Sequence, residues 1–468
     1  MQNEITEKKR KLLLIIMIIG CFFSTLNQTL LNVALSDLME IFNVDATTIQ
    51  WLSTGFMLVN GVCIPITAFL MKRFSTRQLF IFSMGSLLIG SIISACAGNF
   101  GVLLTGRMVQ AVGAGIIIPL MMTIVVYLYP AEKRGVIMGK MGFAIIFAPA
   151  IAPTLAGFLL DYVSWRWLFI MMIPFVTVII LLAFKYLVNV STPQKVKLDI
   201  LSVIYSTFGF GFILYGFSSA GSRGWDDGFV LTIIIVGVLV TGMFVMRQLR
   251  SNDPLLNLFV FKSKVFTMTS VINIAITILM YADLILLPLY LQNGRELTAF
   301  AAGLILLPGA IINAVLSPTA GKLFDKFGAK PMFIVGTALI AISMFAVLDL
   351  TSTTSVLFIV IRTIVLRIGL AFITMPLNTA ALNSLPRELA SHGSAVNNTV
   401  RQIAGAVGTA VIVTIYSTQL TKAMTESVTS PLATAAGNTY FYMFLVACLA
   451  FVLAWFTPKP KKVETSTP

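Results

Sequence analysis

Two ionisable residues stand inside long apolar stretches of the sequence, where a charge is costly and therefore informative. Asp283 lies in MYADLILLPLY and Arg107 in TGRMVQAVGAG. A charge inside a membrane helix costs at least ~2.5–3.5 kcal/mol, so a functional role is the default hypothesis for such residues. We predict that Asp283 takes up and releases a proton and that Arg107 is the cation that tunes it. The alternatives are an acid near a helix end that simply reaches water, and an arginine that anchors neighbouring helices through their carbonyl groups.

Neutral amide side chains recur in the same apolar stretches and offer hydrogen bonds without charge. The sequence also has 22 methionines and 35 phenylalanines, whose adaptable apolar surface suits the binding of varied ligands. The alternative is that most of these apolar side chains only face lipid. We expect a substrate cavity near the membrane midplane to be lined by the following amides: Asn27, Gln28, Asn32, Asn60, Gln110, Asn273 and Asn313.

The uncharged stretch 141–158, MGFAIIFAPAIAPTLAGF, contains Gly142, Pro149, Pro153 and Gly157. Proline in a helix interior removes a backbone hydrogen bond, which a membrane helix tolerates because neighbouring groups satisfy the freed carbonyls. Small residues let a second helix approach closely. The pattern predicts a hinge helix between the two halves of a transporter. The alternative is a kinked span that packs through small residues.

Composition places the chain in a membrane. Of its 468 residues, 58% are hydrophobic and 11% are charged, against about 25% charged in soluble domains, and the mean hydropathy is +0.95. The four cysteines all lie in apolar runs, which indicates neither a disulfide framework nor a metal site. The net charge of +14 comes from basic residues in short loops between apolar runs, as the positive-inside rule produces, so nucleic acid is not the expected partner.

Apolar runs of about 20 residues predict about fourteen membrane helices. An even number places both termini in the cytoplasm, and the basic loops then fall on the cytoplasmic side. We expect cytoplasmic tails at 1–12 and 458–468, six-helix bundles at 13–187 and 265–457, and two additional central helices at 200–246. The predicted spans are 13–35, 47–71, 78–97, 100–128, 137–160, 165–187, 200–219, 229–246, 265–291, 301–322, 331–349, 355–380, 395–418 and 438–457.

An internal repeat supports two related halves. AFLMKRFSTRQLF (68–80) follows the second span and GKLFDKFGAKPMF (321–333) follows the tenth, with small, basic and aromatic residues in the same order. Parallel repeats of this kind build many secondary transporters. We expect both segments to act as loops in the conformational cycle, through Arg73, Arg77, Gly321, Asp325 and Gly328. The only histidine, His392, is expected in a solvated loop.

These motifs together resemble the major facilitator superfamily, and in particular its fourteen-span drug:proton antiporter branch of the EmrB/QacA type, including lincomycin-resistance-type pumps. The segment 321–330 matches the family's loop motif, 105–115 its fourth-span motif and 141–158 its fifth-span antiporter motif. The first loop copy departs from the pattern, because Lys72 stands where the family usually has Asp. In the first span, Asn27 stands where many members have Asp.

The resemblance implies an all-α polytopic transporter that exports lipophilic, often cationic drugs in exchange for protons. It also implies a role for Arg107 in proton coupling. The expected partners are drugs, protons and the lipid bilayer of the plasma membrane, and we expect a monomer without cofactor or metal. A facilitator or importer of a small metabolite is the alternative. An intramembrane enzyme is disfavoured, because the sequence lacks HExxH, GxSxG and Walker patterns.

Overall fold

The computed structural model describes residues 7–31, 34–190, 193, 199–426 and 430–458, and the regular elements among them are all helical. The first part of the chain forms eight helices, in which two short ones, α2 and α7, lie between longer ones. These helices are α1 (Glu7–Leu30), α2 (Leu35–Phe42), α3 (Ala46–Arg73), α4 (Thr76–Ala95), α5 (Phe100–Leu128), α6 (Ala131–Tyr162), α7 (Trp167–Ile170) and α8 (Met172–Tyr186).

Two further long helices precede the last part of the chain, which repeats the arrangement of the first. The remaining α-helices are α9 (Ile200–Arg223), α10 (Gly228–Arg250), α11 (Lys264–Leu289), α12 (Ala299–Phe327), α13 (Ala329–Phe345), α14 (Val356–Asn383), α15 (Ala390–Thr425) and α16 (Pro431–Trp455).

The number of membrane-crossing helices agrees with the sequence. Within the described residues, 13 helical segments are long and apolar enough to cross a membrane, and α13 adds an apolar helix of 17 residues. The all-α polytopic fold with about fourteen spans is therefore confirmed. Several helices extend beyond the predicted spans, because charged residues at a helix end reach water while the backbone stays helical. The segment predicted from 137 begins at Ala131, and that predicted from 395 begins at Ala390.

Polar residues between the spans set where the next helix begins. The Asp45 carboxylate accepts the Thr48 N–H at 2.8 Å at the start of α3, and the Asn99 side chain caps α5 in the same way at 3.0 Å. Ser75 and Gln78 form a reciprocal capping box at the start of α4. Each cap satisfies an N–H group that has no partner within its own helix, so short polar linkers suffice to turn the chain back into the membrane.

The helices pack as two bundles with the α9–α10 hairpin beside them. In the first, α3 and α4 pack on α5, while α6 and α8 pack on α1; in the second, α12 and α13 pack on α14, and α11 and α16 pack on α15. The halves meet chiefly where α6 contacts α12 and where α3 contacts α15, and α9 contacts both α3 and α15. This is the arrangement of two six-helix bundles and two extra helices expected from the sequence.

Contacts between helix ends define one end of the molecule, which we call the basic end. It holds the α3–α4 and α12–α13 turns. In the α9–α10 hairpin, Arg247 contacts Asp199 at 2.8 Å, and this hydrogen bonding lowers the pKa of the Asp199 carboxyl to about 2. The residue pairs that connect the helix ends there are Arg10–Tyr129, Arg77–Asn189, Arg247–Asp199, Gly135–Asp325, Arg134–Asn383 and Lys330–Trp455.

The repeated segments at the basic end, expected to be loops, are mainly helical. Helix α3 continues to Arg73 and α12 to Phe327, and the second turn is reduced to Gly328. Gly328 has φ +81°, a left-handed conformation that glycine adopts without the penalty that a Cβ incurs. A single glycine therefore reverses the chain between α12 and α13.

Glycines show that α6 and α12 touch at the basic end and separate toward the opposite end. A Cβ at Gly139 would lie 2.5 Å from the Ser317 carbonyl oxygen, whereas Cβ atoms at Gly157 and Gly303 would meet nothing within 4 Å among the described residues. Gly303 is five helical turns from Gly321 on the same face of α12, at 3.6 residues a turn. The expected close packing through Gly157 is therefore wrong. The contact surface of this helix comprises Gly135, Gly139 and Gly142.

We expect Gly139→Val to destabilise the protein and Gly157→Val to leave it nearly unchanged. A valine at 139 overpacks the α6–α12 contact, which costs roughly 1–3 kcal/mol; a valine at 157 enters open space. Thermal unfolding of the two purified variants in the same detergent tests this, because both substitutions add the same side chain to one helix. Equal unfolding temperatures would contradict the packing described here.

Candidate functional site

Arg107 is buried among helices of the first bundle. Its side chain on α5 is 0% exposed, and Nη1 donates to the Asn27 carbonyl and side-chain oxygens, each at 3.1 Å, and to Gln110 Oε1 at 2.9 Å. The guanidinium carbon lies 4.4 Å from the centroid of the Phe56 ring. In turn Gln110 donates to Ser91 Oγ at 3.0 Å. The cation is thus held by dipoles and an aromatic face from α1, α3 and α5.

No acidic residue appears among the described partners of Arg107, and its Nε and Nη2 atoms have no hydrogen-bond partner there. Dipoles compensate a buried charge less completely than an ion of opposite sign does. Asn27 is the nearest partner on α1. Because an amide does not titrate, this cluster contains no group that can exchange a proton near neutral pH.

Asp283 lies in a separate cluster in the second bundle. Its Oδ1 accepts a hydrogen bond from Arg362 Nη1 and another from the Tyr440 hydroxyl, at 3.1 Å for the latter. Arg362 also donates through Nε to the Ser343 carbonyl at 3.1 Å and lies 4.8 Å from the Tyr440 ring centroid. Both charged side chains are 1% exposed. The second carboxylate oxygen, Oδ2, has no partner among the described residues.

The expectation that Arg107 is the cation beside Asp283 is therefore wrong. The partner of Asp283 is Arg362 on α14, and the two clusters share no residue. Burial also excludes the alternative in which Asp283 simply reaches water. The proton-carrying role predicted for Asp283 stays a prediction.

Three of the seven amides predicted to line a substrate cavity are hydrogen-bonded to other side chains within the bundles. Asn27 and Gln110 hold Arg107, while Asn273 donates to Asn397 Oδ1 at 3.0 Å. Asn313 is buried, and its Oδ1 has no partner among the described residues. The other predicted amides are Asn60, which is buried, Gln28, which is partly buried, and Asn32, which lies outside the described residues.

The residues of the predicted hinge lie in different surroundings along α6. Gly142 packs against α12 and α14, where a Cβ would lie 2.6 Å from Met375 Cγ. The helix continues through Pro149, and the side chain of Pro153 lies outside the described residues. A close contact with the other bundle therefore exists at the glycine near the basic end and ends before Gly157.

Asp325 joins the two bundles at the basic end. Its carboxylate accepts the backbone N–H groups of Gly135 and Val136 on α6, both at 2.8 Å. Ser317 Oγ, further along α12, donates to the Gly139 carbonyl at 3.0 Å. These hydrogen bonds occur beside the glycine contacts, so the acid holds α12 against α6 where the backbones are closest.

Arg134 makes a second connection between the bundles at this end. It donates to the Tyr129 and Val126 carbonyls, both at 2.9 Å, and to Asn383 Oδ1 at the end of α14, at 2.7 Å. In the first repeat, by contrast, the Arg77 backbone N–H bonds Asn189 within the same bundle. The two copies of the repeat therefore differ in what they connect.

A family model described as "Major Facilitator Superfamily" matches residues 17–409. The chain belongs to the Major Facilitator Superfamily. It is 46% identical over 419 residues to the uncharacterized MFS-type transporter YhcA of Bacillus subtilis, covering 90% of this chain and 79% of the relative. It is 39% identical to the lincomycin resistance protein LmrB of Listeria monocytogenes, covering 94% and 95% of the two chains. The resemblance to the drug:proton antiporter branch is thereby confirmed.

The fold is shared with solved structures of the superfamily. The human organic anion transporter MFSD10 matches with a TM-score of 0.68 at 13% identity, covering 95% of this chain and 99% of that one. This chain is therefore a multi-pass membrane transporter built from two bundles of helices. Among the described residues no group of three or more metal-ligating side chains is found.

Two participants in the clusters escaped sequence reasoning. Tyr440 sits in an ordinary apolar helix, and nothing near it in sequence marks it as a partner of an acid 157 residues away. Arg362 lies within a predicted span, and the sequence alone does not pair it with Asp283. One signal narrows the choice of partner: Asp283 needs a buried cation, and the arginines within the predicted spans of the same half are Arg362, Arg367 and Arg401.

We expect Asp283→Asn alone to destabilise the protein strongly, because it leaves the Arg362 cation buried without a counter-charge, at a cost of roughly 3–5 kcal/mol. The double variant Asp283→Asn/Arg362→Met removes both charges and should recover much of that loss. Thermal unfolding in detergent measures both, with Asp349→Asn, at an exposed acid, as the matched control. Additive effects of the two substitutions would contradict the ion pair.

Proposed function

We propose that this chain is a proton-coupled exporter of lipophilic, often cationic drugs that works by alternating access in the plasma membrane. The similarity to a lincomycin resistance protein along nearly the whole chain supports a drug substrate. The basic end is then cytoplasmic, with both termini on that side. The bundles are 13–187 and 265–457, with 200–246 between them, and the protein works as a monomer without a cofactor.

The observation that carries the proposal is the buried Asp283–Arg362–Tyr440 cluster. In the ionised state Asp283 neutralises Arg362. A proton that binds Asp283, whose Oδ2 atom has no partner among the described residues, cancels the carboxylate charge and leaves Arg362 buried without compensation. An uncompensated buried charge costs several kcal/mol. Protonation therefore favours an arrangement of α11, α14 and α16 in which the arginine finds other partners, and this couples the proton to movement of the bundle.

The packing of the bundles corresponds to one of the two main states of the proposed transport cycle. α6 and α12 are joined at the basic end by Asp325 and the glycine contacts, and they diverge toward the opposite end. With the basic end in the cytoplasm, this is the state from which a drug leaves to the outside and a proton enters. Breaking the Asp325 contact then opens the cytoplasmic side, and Arg107 is an anchor that keeps α1, α3 and α5 together during that movement.

We expect a pH gradient, acid inside, to drive uptake of a lipophilic cationic dye into everted vesicles that contain the protein. Asp283→Asn should abolish the gradient-driven part while retaining dye binding, because the amide keeps the shape but cannot titrate. Asp349→Asn is the matched control and should transport like the parent. Dye transport by Asp283→Asn at the parental rate would refute the assignment, and gradient-independent movement of a metabolite without dye transport would favour the facilitator alternative.

We expect Asp325→Asn to lower the initial rate of dye transport several-fold at equal membrane expression. The amide oxygen can accept one of the two N–H groups, but its NH₂ group opposes the other, and hydrogen bonds to a charged group contribute about 1.5–3 kcal/mol. The exposed Asp226→Asn in the α9–α10 turn is the control. A parental rate in Asp325→Asn would mean that the contact between α12 and α6 does not limit the cycle.

A further inference from the structure

The internal repeat places residues of opposite charge at equivalent positions in the two halves. Aligned on the shared pattern, Lys72 near the end of α3 corresponds to Asp325 near the end of α12. Each of these helices packs against a helix of the other bundle, α3 on α15 and α12 on α6. At the second junction the carboxylate of Asp325 bonds backbone N–H groups across the interface. At the first junction the equivalent side chain is a cation, so it cannot do the same.

A cavity of about 450 Å³ lies beside Lys72 at this first junction. Its wall includes Thr76 and Tyr127 from the first bundle, and Arg387 and His392 from the start of α15 and the turn before it. The cavity thus lies between the bundles at the basic end, where a carboxylate would lie if the first repeat resembled the second.

His392 contributes an unused hydrogen-bond donor to the wall. The side chain was expected to be solvated, but it is 1% exposed. Its Nδ1 accepts the Asn257 N–H at 3.1 Å, so the neutral ring carries its proton on Nε2. Nε2 has no partner among the described residues. A buried donor without an acceptor is costly, and a ligand that supplies the acceptor relieves that cost.

The charges around the cavity favour an anion. Lys72 and Arg387 are the cations of its wall and Glu388 is its acidic residue, while Asp253 lies close enough to Lys72 to interact with it. Lysine and arginine side chains bind oxyanions through charge-assisted hydrogen bonds. Asp253 does not line the cavity, so its wall carries two cations against one carboxylate, and the neutral His392 N–H adds a hydrogen-bond donor.

We propose that this cavity binds a phosphate or carboxylate group through Lys72, Arg387 and the His392 Nε2–H, and that the bound anion holds α3 against α15. It does so as Asp325 holds α12 against α6. The anion comes either from solution or from the headgroup of an acidic lipid, since both present the same oxygens. The bound state is the one in which the basic end is closed.

Equilibrium dialysis with radiolabelled inorganic phosphate tests the site on the full-length protein in dodecyl maltoside at pH 7. We expect saturable binding of about one phosphate per chain, weakened at least tenfold by Lys72→Gln and by Arg387→Gln. Lys322→Gln is the matched control, since Lys322 lines the corresponding cavity beside Asp325, and it should bind like the parent. His392→Gln keeps a side chain that can donate and should bind better than His392→Leu.

A second variant, Lys72→Asp, supplies the acid that the first repeat lacks. It should bind no phosphate, and its unfolding temperature should no longer respond to phosphate, whereas the parental temperature should rise by roughly 1–3 °C near saturation. Phosphatidylglycerol added to the micelles should displace the label if a lipid headgroup is the natural occupant, and should leave it bound if a free anion is. Absence of saturable binding of either phosphate or the lipid, or equal loss in Lys322→Gln, would overturn the proposal.

Discussion

Charges and hydrogen-bonding groups within a bilayer must find their partners inside the protein, because hydrocarbon offers none. The two bundles meet this constraint in different ways. Arg107 is held by amide and carbonyl dipoles and by the Phe56 ring, whereas Arg362 is held by a carboxylate and a tyrosine hydroxyl. A cluster held by dipoles keeps its charge throughout the cycle. A cluster held by an acid changes its net charge whenever that acid binds a proton, and for that reason the proposed mechanism assigns proton coupling to the second cluster.

This difference makes the two halves unequal despite their shared architecture. In the first bundle an amide, Asn27, stands at the position where the resemblance leads one to expect an acid. In the proposed mechanism, proton binding therefore falls to Asp283 on α11, which is paired with Arg362 on α14 and Tyr440 on α16. The connection between the bundles is also asymmetric, since Asp325 accepts backbone N–H groups across the interface, whereas the equivalent Lys72 has no acceptor atom in its side chain. In the proposed mechanism, a proton that binds Asp283 therefore acts on the same bundle that supplies Asp325 at the basic end. The helix that carries Asp325, α12, packs on α14, which carries Arg362.

Sequence reasoning reached the fold because the bilayer imposes a strong pattern: apolar runs of fixed length, basic loops and a repeat. It found Asp283 and Arg107 for the same reason. Sequence reasoning did not find the partners of these charges. Asp283 and Arg362 are 79 residues apart in the chain, and whether they pair depends on how their helices are rotated relative to each other. Gly157 and Gly139 look alike in sequence, and only the divergence of α6 from α12 separates them. His392 was predicted to be solvated because it lies in a short polar stretch that is typical of a loop. In the structure, however, α15 already begins at Ala390.

In the proposed cycle, closure of the basic end depends on contacts that are individually weak enough to break each time. Asp325 contributes two hydrogen bonds to backbone groups, and the glycines beside it add close contacts that have no side-chain entropy to lose. Such a junction opens when any change in the second bundle shifts α12 by a fraction of a helical turn, because hydrogen bonds weaken steeply with distance and angle. A permanent ion pair across the interface would hold it more tightly and would resist that shift. Backbone N–H groups as partners give the acid a defined position without an opposing charge, which fits the proposal that this contact forms and breaks once in every transport cycle.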